Sequence, residues 1–441
     1  MICAIASAAG GVSLDKGPYL LAVGDRWIVV KWEAAGSGGM VEYGFAPGAY
    51  EFSQPASAFE GMSEATLMCL KPGNYRYRVK VGSQFTEEFS FSTAPAPDEP
   101  FSFIVFGDNR AGTGTHQALI YYMIDEFPAR LVVNTGDMVT FGGMEGEWDT
   151  WFNIERPLLA NVPLYPVVGN HELAGGSYLF YKYFSTELNR TSVARYAYTF
   201  GNSRFIIFDS NDSVEPGSEQ YEWLSQQLDF ASKMPRIKHI FVSMHHPAFC
   251  SCHHASDDEV RDIQRYLAPL FEAYGVDIVF SGHCHFYERS ENNGVVYVVT
   301  GAGGAPLYDC NEVPNDKQVV CVSEPHFCYV TVDGENVRVD VYSLSGLLID
   351  SFSIVNDVGG AGVEGYDDPD PCYDYDYDGD GLTDGYEQYE TDCLDPYNAD
   401  TDGDGWNDGE EVNAGTDPCD DASHPAADEG GSSDAGCGCA F

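Results

Sequence analysis

Residues 101–110 read FSFIVFGDNR, an apolar run of β-forming residues that leads straight into Asp108. The same arrangement returns four times: RLVVN before TGDM at Asp137, VPLYPVV before GNHE at Asn170, HIFV before SMHH at His245, and VDIVF before SGHCH at His283 and His285. Runs of this composition predict buried strands. Between them, THQALIYYMIDEF, SEQYEWLSQQLDFASKM and EVRDIQRYLAPLFEAYG carry apolar residues at helical spacing. Strands alternating with helices imply an α/β sheet covered by helices, and such sheets keep their ligands at the strand ends.

Each of the five runs delivers a hard or borderline metal donor, Asp, Asn or His. Phosphate esters resist hydrolysis because an anionic nucleophile must approach an anionic phosphorus. Two cations about 3.5–4 Å apart remove that obstacle by acidifying a bridging water and clamping the phosphoryl oxygens. Such a pair needs one shared carboxylate flanked by separate donors, and the five runs supply that set. The order of motifs therefore reads as a two-metal phosphoesterase.

The rest of the chain places this region within 441 residues, enough for two or three domains. A formal net charge of −47 argues against nucleic acid or an anionic membrane as partner, because both are polyanions. From Asp357 to Phe441 there is no Lys or Arg, so much of the acidity belongs to a C-terminal appendage. Residues 1–14 contain Ala6-Ser7-Ala8, a small-x-small pattern, and are expected to be a signal-peptide remnant or a disordered N-terminus. Residues 15–95 alternate apolar and polar in short runs such as RWIVVKW and YRYRVKV, the pattern of a β-sandwich. The Pro-rich stretch APAPDEP (94–100) reads as a linker, and the α/β region is expected over 96–356. Thirteen cysteines favour an oxidising compartment, hence a secreted, extracellular or cell-surface protein. Cys310 and Cys321 could staple a polar loop, and Cys284 is expected to be a small buried filler. CSCHH at 250–254 reads as a polar loop bordering the substrate; as a third, zinc-type site it lacks a partner pair.

The tail repeats itself. Asp376, Asp378, Asp380, Gly381, Asp384 and Glu387 follow the Ca²⁺-loop spacing, and Asp400, Asp402, Asp404, Gly405, Asp408 and Glu411 follow it again. Ca²⁺ takes six to eight oxygens, the glycine permits the sharp turn, and the final Glu can bind bidentately. DYDGDGLTDGYE and DTDGDGWNDGEE resemble thrombospondin type 3 repeats, expected over 357–422, with a Gly/Ser/Cys tail over 423–441. Such repeats could attach the protein to a cell surface or matrix.

Through PVVGNHE, FIIFDSN, SEQYEWL, FVSMHHPAF and VFSGHCHFYER, roughly Pro18 to Ile354 resembles the calcineurin-like metallophosphoesterases. With a front domain similar to fibronectin type III, where LKPGNY (70–75) looks like a tyrosine corner, the likeness is greatest to the purple acid phosphatase branch. The resemblance implies a four-layer αββα domain and two transition-metal ions, Fe, Zn or Mn. Residue by residue it implies Asp108 and His285 on one metal, Asp137 bridging, Asn170, His245 and His283 on the other, and His171 contacting the phosphate or protonating the leaving group. Asn170 would help hold the phosphoryl oxygens.

Two positions depart from that family. Thr140 stands where purple acid phosphatases carry an iron-binding Tyr, which argues against an Fe(III)–tyrosinate centre. Arg110 stands where related enzymes have a His ligand or a Gly, leaving the first metal one protein ligand short. Water, His116 or a group behind the ligands could fill the place, or Arg110 could clamp the substrate phosphate. The expected activity is phosphomonoester hydrolysis, acid phosphatase-like, by a metal-bridging hydroxide. A phosphodiesterase or nucleotidase is the enzymatic alternative; a calcium-dependent adhesin using the domain as scaffold is the alternative of another class.

Overall fold

The computed structural model describes residues 12–356 except 25, 37, 187 and 190–193, and in the tail 380–383, 386–387, 393–394 and 398–425. Most of the expected leader and of the Gly/Ser/Cys tail lies outside these residues, as do Asp376, Asp378 and Asp384. Two compact units emerge, residues 1–367 and 368–441.

In the first unit, the strands ending in the Asp and Asn motifs, Phe101–Phe106, Leu131–Asn134 and Leu164–Pro166, lie side by side and parallel. The strands ending in the His motifs, His239–Ser243 and Ile278–Ser281, are also parallel neighbours, in a second, seven-stranded sheet. Aromatic side chains join the two sheets: the ring of Phe103 lies 5.0 Å from that of Phe205 and 5.3 Å from that of Phe241. Pairs of this kind contribute about 0.5–1.5 kcal/mol each beyond their burial. All three rings, with that of Phe280, are at most 1% exposed. Because both sheets present their C-terminal strand ends toward one side, ligands from distant parts of the chain converge there.

Helix α1, Thr113–Glu126, and helix α2, Glu145–Leu159, bury Leu119, Ile120, Met123, Trp148, Trp151 and Phe152 in a second apolar cluster with Ile104, Val132 and Leu164 of the first sheet. The helix Glu219–Lys233 starts at Ser218, whose hydroxyl accepts the Tyr221 N–H, and packs Leu224 and Leu228 on the second sheet. Residues 258–273 form a helix with an internal π-turn at Ile263–Leu267. Helix α2 is an addition to the three helices that apolar spacing predicts.

The N-terminal strands do form two facing sheets around Trp32, which is fully buried, and Tyr75 Oη donates to Lys71 O (2.9 Å). One of those sheets does not stop at the linker. Lys16–Leu21 pairs with Leu164–Pro166 at Leu21 and Leu164, so N-terminal and α/β strands share one ten-stranded sheet. Buried hydroxyls reinforce the seam: Tyr165 Oη donates to Val23 O (2.7 Å) and Tyr77 Oη to Ala160 O (2.7 Å). No helix among the described residues is long and apolar enough to cross a membrane.

Candidate metal centre

The strand ends turn sharply where the donors sit. Asp108, Asp137 and His283 all adopt left-handed backbone, with φ of 51°, 55° and 68°. Non-glycine residues seldom do so, and the strain, of order 1 kcal/mol or more each, persists where the surroundings over-determine it. Close approach makes two neighbouring glycines obligatory. A Cβ on Gly282 would sit 2.2 Å from Asp108 Oδ2, and one on Gly169 would sit 2.4 Å from Asp137 Oδ1.

The structure brings together every residue expected to hold the two transition metals. Donor atoms of Asp108, Asp137 and His285 lie within 4.8 Å of one another, with His285 Nε2 3.5 Å from Asp108 Oδ1. On the other side, His245 Nε2 is 3.0 Å from Asn170 Oδ1, 3.2 Å from His283 Nδ1 and 3.3 Å from Asp137 Oδ1. Asp137 therefore belongs to both groups. Backbone carbonyls fix the imidazoles: the Nδ1–H of His245 faces Thr135 O (2.9 Å) and that of His285 faces Pro306 O (2.7 Å), which leaves each Nε2 lone pair inward.

Electrostatics favour the ligand forms of the histidines. Burial, and then the neighbouring imidazoles, pull His283 far down, burial holds His245 low, and burial takes His285 to about 4. Neutral imidazole is the form that binds metal. The carboxylates are under opposite pressure. Burial and the charge of Asp137 push Asp108 well up, whereas at Asp137 burial is outweighed by His245, His171 and Arg110, which hold it down. Two adjacent buried carboxylates, three histidine rings and an amide oxygen form a donor set that cations would neutralise, so the residues present fit a pair of metal ions.

Sequence reasoning missed several contributors. Glu172 accepts N–H groups of Asp137 (2.8 Å), Met138 (2.8 Å) and Gly169 (2.8 Å), tying the Asp137 loop to the Asn170 turn. Burial and the Asp137 charge push its carboxyl up to about 8. Tyr308 stacks on His285, ring centroids 4.1 Å apart. Asp257 accepts from His254 Nδ1 (2.7 Å) and lies 3.7 Å from His283 Nε2. Only the E of GNHE signalled any of these; Tyr308 and Asp257 sit in aperiodic loops.

Two expectations change. His116 does not reach the first metal group, because its Nε2 is held by Glu155 Oε1 at 2.6 Å. Cys284 is bonded to Cys252, since the 250–254 loop folds onto the 282–286 turn, and it is not mere filler. That disulfide also leaves CSCHH without free thiols for a zinc-type site beyond Cys250. Cys310–Cys321 closes the polar loop as expected.

A cavity of about 90 Å³ opens at the centre, lined by Arg110, Asp137, Asn170, His171, His254, His283, His285 and Tyr308. Arg110 Nε donates to Asp137 Oδ2 (3.2 Å), and the Nδ1–H of His171 is fixed on Thr140 O (2.7 Å).

In the second unit, Asp400, Asp402 and Asp404 converge within 4.8 Å, and Gly405 takes the expected left-handed turn (φ 98°). Glu411 is fully buried with neither carboxylate oxygen hydrogen-bonded, and Asp402 Oδ2 and Asp404 Oδ2 are likewise without partners. Buried, unpaired carboxylate oxygens are the arrangement a calcium ion would satisfy. Asp408 departs from the expected loop. Its carboxylate accepts from the Thr401 N–H (2.8 Å) and hydroxyl (2.7 Å) and groups with Asp380 and Glu387 of the first copy. Cys393 pairs with Cys419.

Comparison with known proteins identifies the families the chain resembles. The calcineurin-like phosphoesterase family matches residues 101–287, and the bacterial TSP3 repeat family matches 376–396 and 400–420. Purple acid phosphatase 18 of Arabidopsis thaliana is 27% identical over 319 residues, 66% of this chain and 72% of that protein. Purple acid phosphatase 1 of Ipomoea batatas is 28% identical over 281 residues, covering 59% of this chain and 58% of that protein. The structure of purple acid phosphatase PPD1 from yellow lupin (Lupinus luteus) seeds superposes with a TM-score of 0.67 at 20% identity, covering 80% of this chain and 77% of that one. The chain thus contains a calcineurin-like phosphoesterase domain with purple acid phosphatase homologues, together with TSP3 repeats, and is a phosphoric ester hydrolase.

Proposed function

We propose that this phosphoric ester hydrolase acts on phosphate monoesters, with two transition-metal ions held by Asp108, Asp137 and His285 on one side and Asp137, Asn170, His245 and His283 on the other. The observation that carries the reading is the position of Asp137 in both donor groups, within 3.3 Å of His245 Nε2 and 4.8 Å of donors on Asp108 and His285. The two cations would supply an activated nucleophile and neutralise charge on the phosphoryl oxygens.

The chain's own side chains then divide the remaining work. Arg110, at the cavity wall, offers a planar fork to two phosphoryl oxygens. Asn170 orients the phosphate with its amide. His171 has its Nδ1–H committed to Thr140 O, so as imidazolium it carries one proton at Nε2, facing the cavity, to give to the departing alkoxide. Thr140 contributes that carbonyl and no phenolate, which favours a colourless centre over an Fe(III)–tyrosinate one.

Residues 376–420 would bind Ca²⁺ through Asp400, Asp402, Asp404 and Glu411 in the second copy, and through Asp380 and Glu387 with their neighbours in the first. The disulfides Cys252–Cys284, Cys310–Cys321 and Cys393–Cys419 support action outside the cytoplasm. Assays of purified protein with aryl phosphate monoesters and diesters, with and without a chelator, test the proposal. Chelator-sensitive monoester turnover at least tenfold above diester turnover is expected; preference for the diester, or turnover indifferent to metal, would overturn it.

A further inference from the structure

Behind the Asp108–Arg110 turn lies a buried polar trio that the chemistry above does not use. Asn109, His116 and Glu155 are 2%, 1% and 1% exposed. His116 Nε2 meets Glu155 Oε1 at 2.6 Å, and Asn109 Nδ2 lies 3.1 Å from the same oxygen and 2.8 Å from His116 Nε2. His116 stands in the first turn of α1 and Glu155 near the end of α2, so the trio ties both helices to the middle residue of the GDNR turn.

The turn needs holding. Asp108 and Ala111 both have left-handed backbone, φ 51° and 65°, on either side of Asn109 and Arg110. Arg110 itself borders two spaces. One is the central cavity; the other, about 190 Å³, is also lined by Asn109, His116, Thr140, Trp151 and Ile154. A relaxed turn would let the guanidinium leave the first space for the second. Folding alone gives little reason for such a trio, because a buried polar or ionic group replaced whole by apolar side chains is often neutral for stability.

We propose that Glu155 is a positioning residue: through His116 and Asn109 it pins the GDNR turn and so holds Arg110 toward the substrate phosphate. This rests on the reading of Arg110 as a phosphate clamp. No member of the trio lines the central cavity; its effect is transmitted wholly through one neighbour's pose.

The experiment measures inorganic phosphate binding to zinc-loaded protein by calorimetry, with KM and kcat for an aryl phosphate beside it. R110A, N109A and the double replacement H116L/E155L are each expected to weaken phosphate binding and raise KM about tenfold, with kcat within about threefold, as loss of one charge-assisted contact would. E155Q keeps an acceptor for Asn109 and should stay within about threefold of wild type. In the R110A background, N109A should add less than about twofold, because both act on one contact. N109A leaves the His116–Glu155 pair intact, so it provides the test even if H116L/E155L fails to fold. Unchanged phosphate binding in folded N109A, or effects of N109A and R110A that multiply in full, would overturn the proposal. Unchanged binding in R110A would instead remove the clamp reading beneath it.

Discussion

Among the described residues, carboxylates gather around Asp137 and around Glu411, and these two gatherings are built in opposite ways. The first mixes nitrogen and oxygen donors taken from five strand ends spread between Asp108 and His285, and it exists only because two sheets stack. The second uses oxygen alone, from residues between Asp400 and Glu411, and its geometry is set by turns within that short stretch: the Gly403 and Gly405 N–H groups bond Asp400 (2.9 and 3.0 Å). A site made by tertiary structure can choose any donor type but inherits the stability of the whole sheet assembly. A site made by a local loop is autonomous but is limited to what neighbouring residues offer.

The largest expected effect lies at the shared residue of the first site. D137N should lower ester hydrolysis by on the order of 10³-fold or more and reduce bound transition metal, with circular dichroism unchanged, because one carboxylate serves both groups. If D137N retained both metals and turnover, Asp137 would not be the bridge.

Acid should next separate the regions. His326 is fully buried in the first unit with Nδ1 facing Glu324 O (2.8 Å), and burial pulls its pKa from 6.5 to about 4. As pH falls, the unfolded chain takes up that proton first, so stability is intact above about 6.5 and is lost on the way down to about 4. The loss amounts to roughly 3 kcal/mol. Denaturant melts of the first unit's signal at pH 7, 5.5 and 4 measure it, and H326F should flatten the dependence. Equal slopes for the two proteins would contradict it.

For the local site, E411Q should weaken Ca²⁺ binding roughly tenfold or more, since it removes the buried carboxylate that closes the loop. A calcium titration followed by limited proteolysis of the tail reads this out; protection at the same calcium concentration as wild type would exclude Glu411 as a ligand.

The smallest effect is expected in the scaffold that the first site depends on. Glu33 bridges Lys16 (2.5 Å) and Lys182 (2.6 Å), and although burial opposes it, the two ammonium groups hold its carboxyl below the usual range. E33Q should destabilise the first unit by about 1–2 kcal/mol at pH 7. Because the native pKa is depressed, the stabilisation is present above the normal carboxylate pKa and fades as pH falls through the native one. A wild-type advantage that persisted undiminished below pH 3 would contradict this.

The contrast also explains what could be read in advance. The six side chains proposed to hold transition metals were legible as donors because each follows a run of β-formers, and a strand end is a local feature. The acidic repeat loops were legible for the same reason in stronger form, although Asp408 shows the limit. Its loop position assigned it to the second copy, yet it bonds Thr401 and sits with Asp380 and Glu387. His116 was a candidate ligand by proximity to GDNR in sequence, whereas Glu155, 39 residues further on, claims it. Cys252 and Cys284 lie 32 residues apart, and no local pattern announces their bond.

The order of residues by itself determined the donor types, the turns that present them and the calcium-loop spacing, because strand runs, glycine turns and acidic loops are short-range consequences of side-chain chemistry. The tertiary structure alone decided that Asp137 faces two donor groups, that Glu172 clamps its loop, that Glu155 takes His116 and that N-terminal strands extend the catalytic sheet. Those facts depend on which strands become neighbours, and strand order follows from burying whole apolar faces together, a property of the assembled chain that no single segment carries.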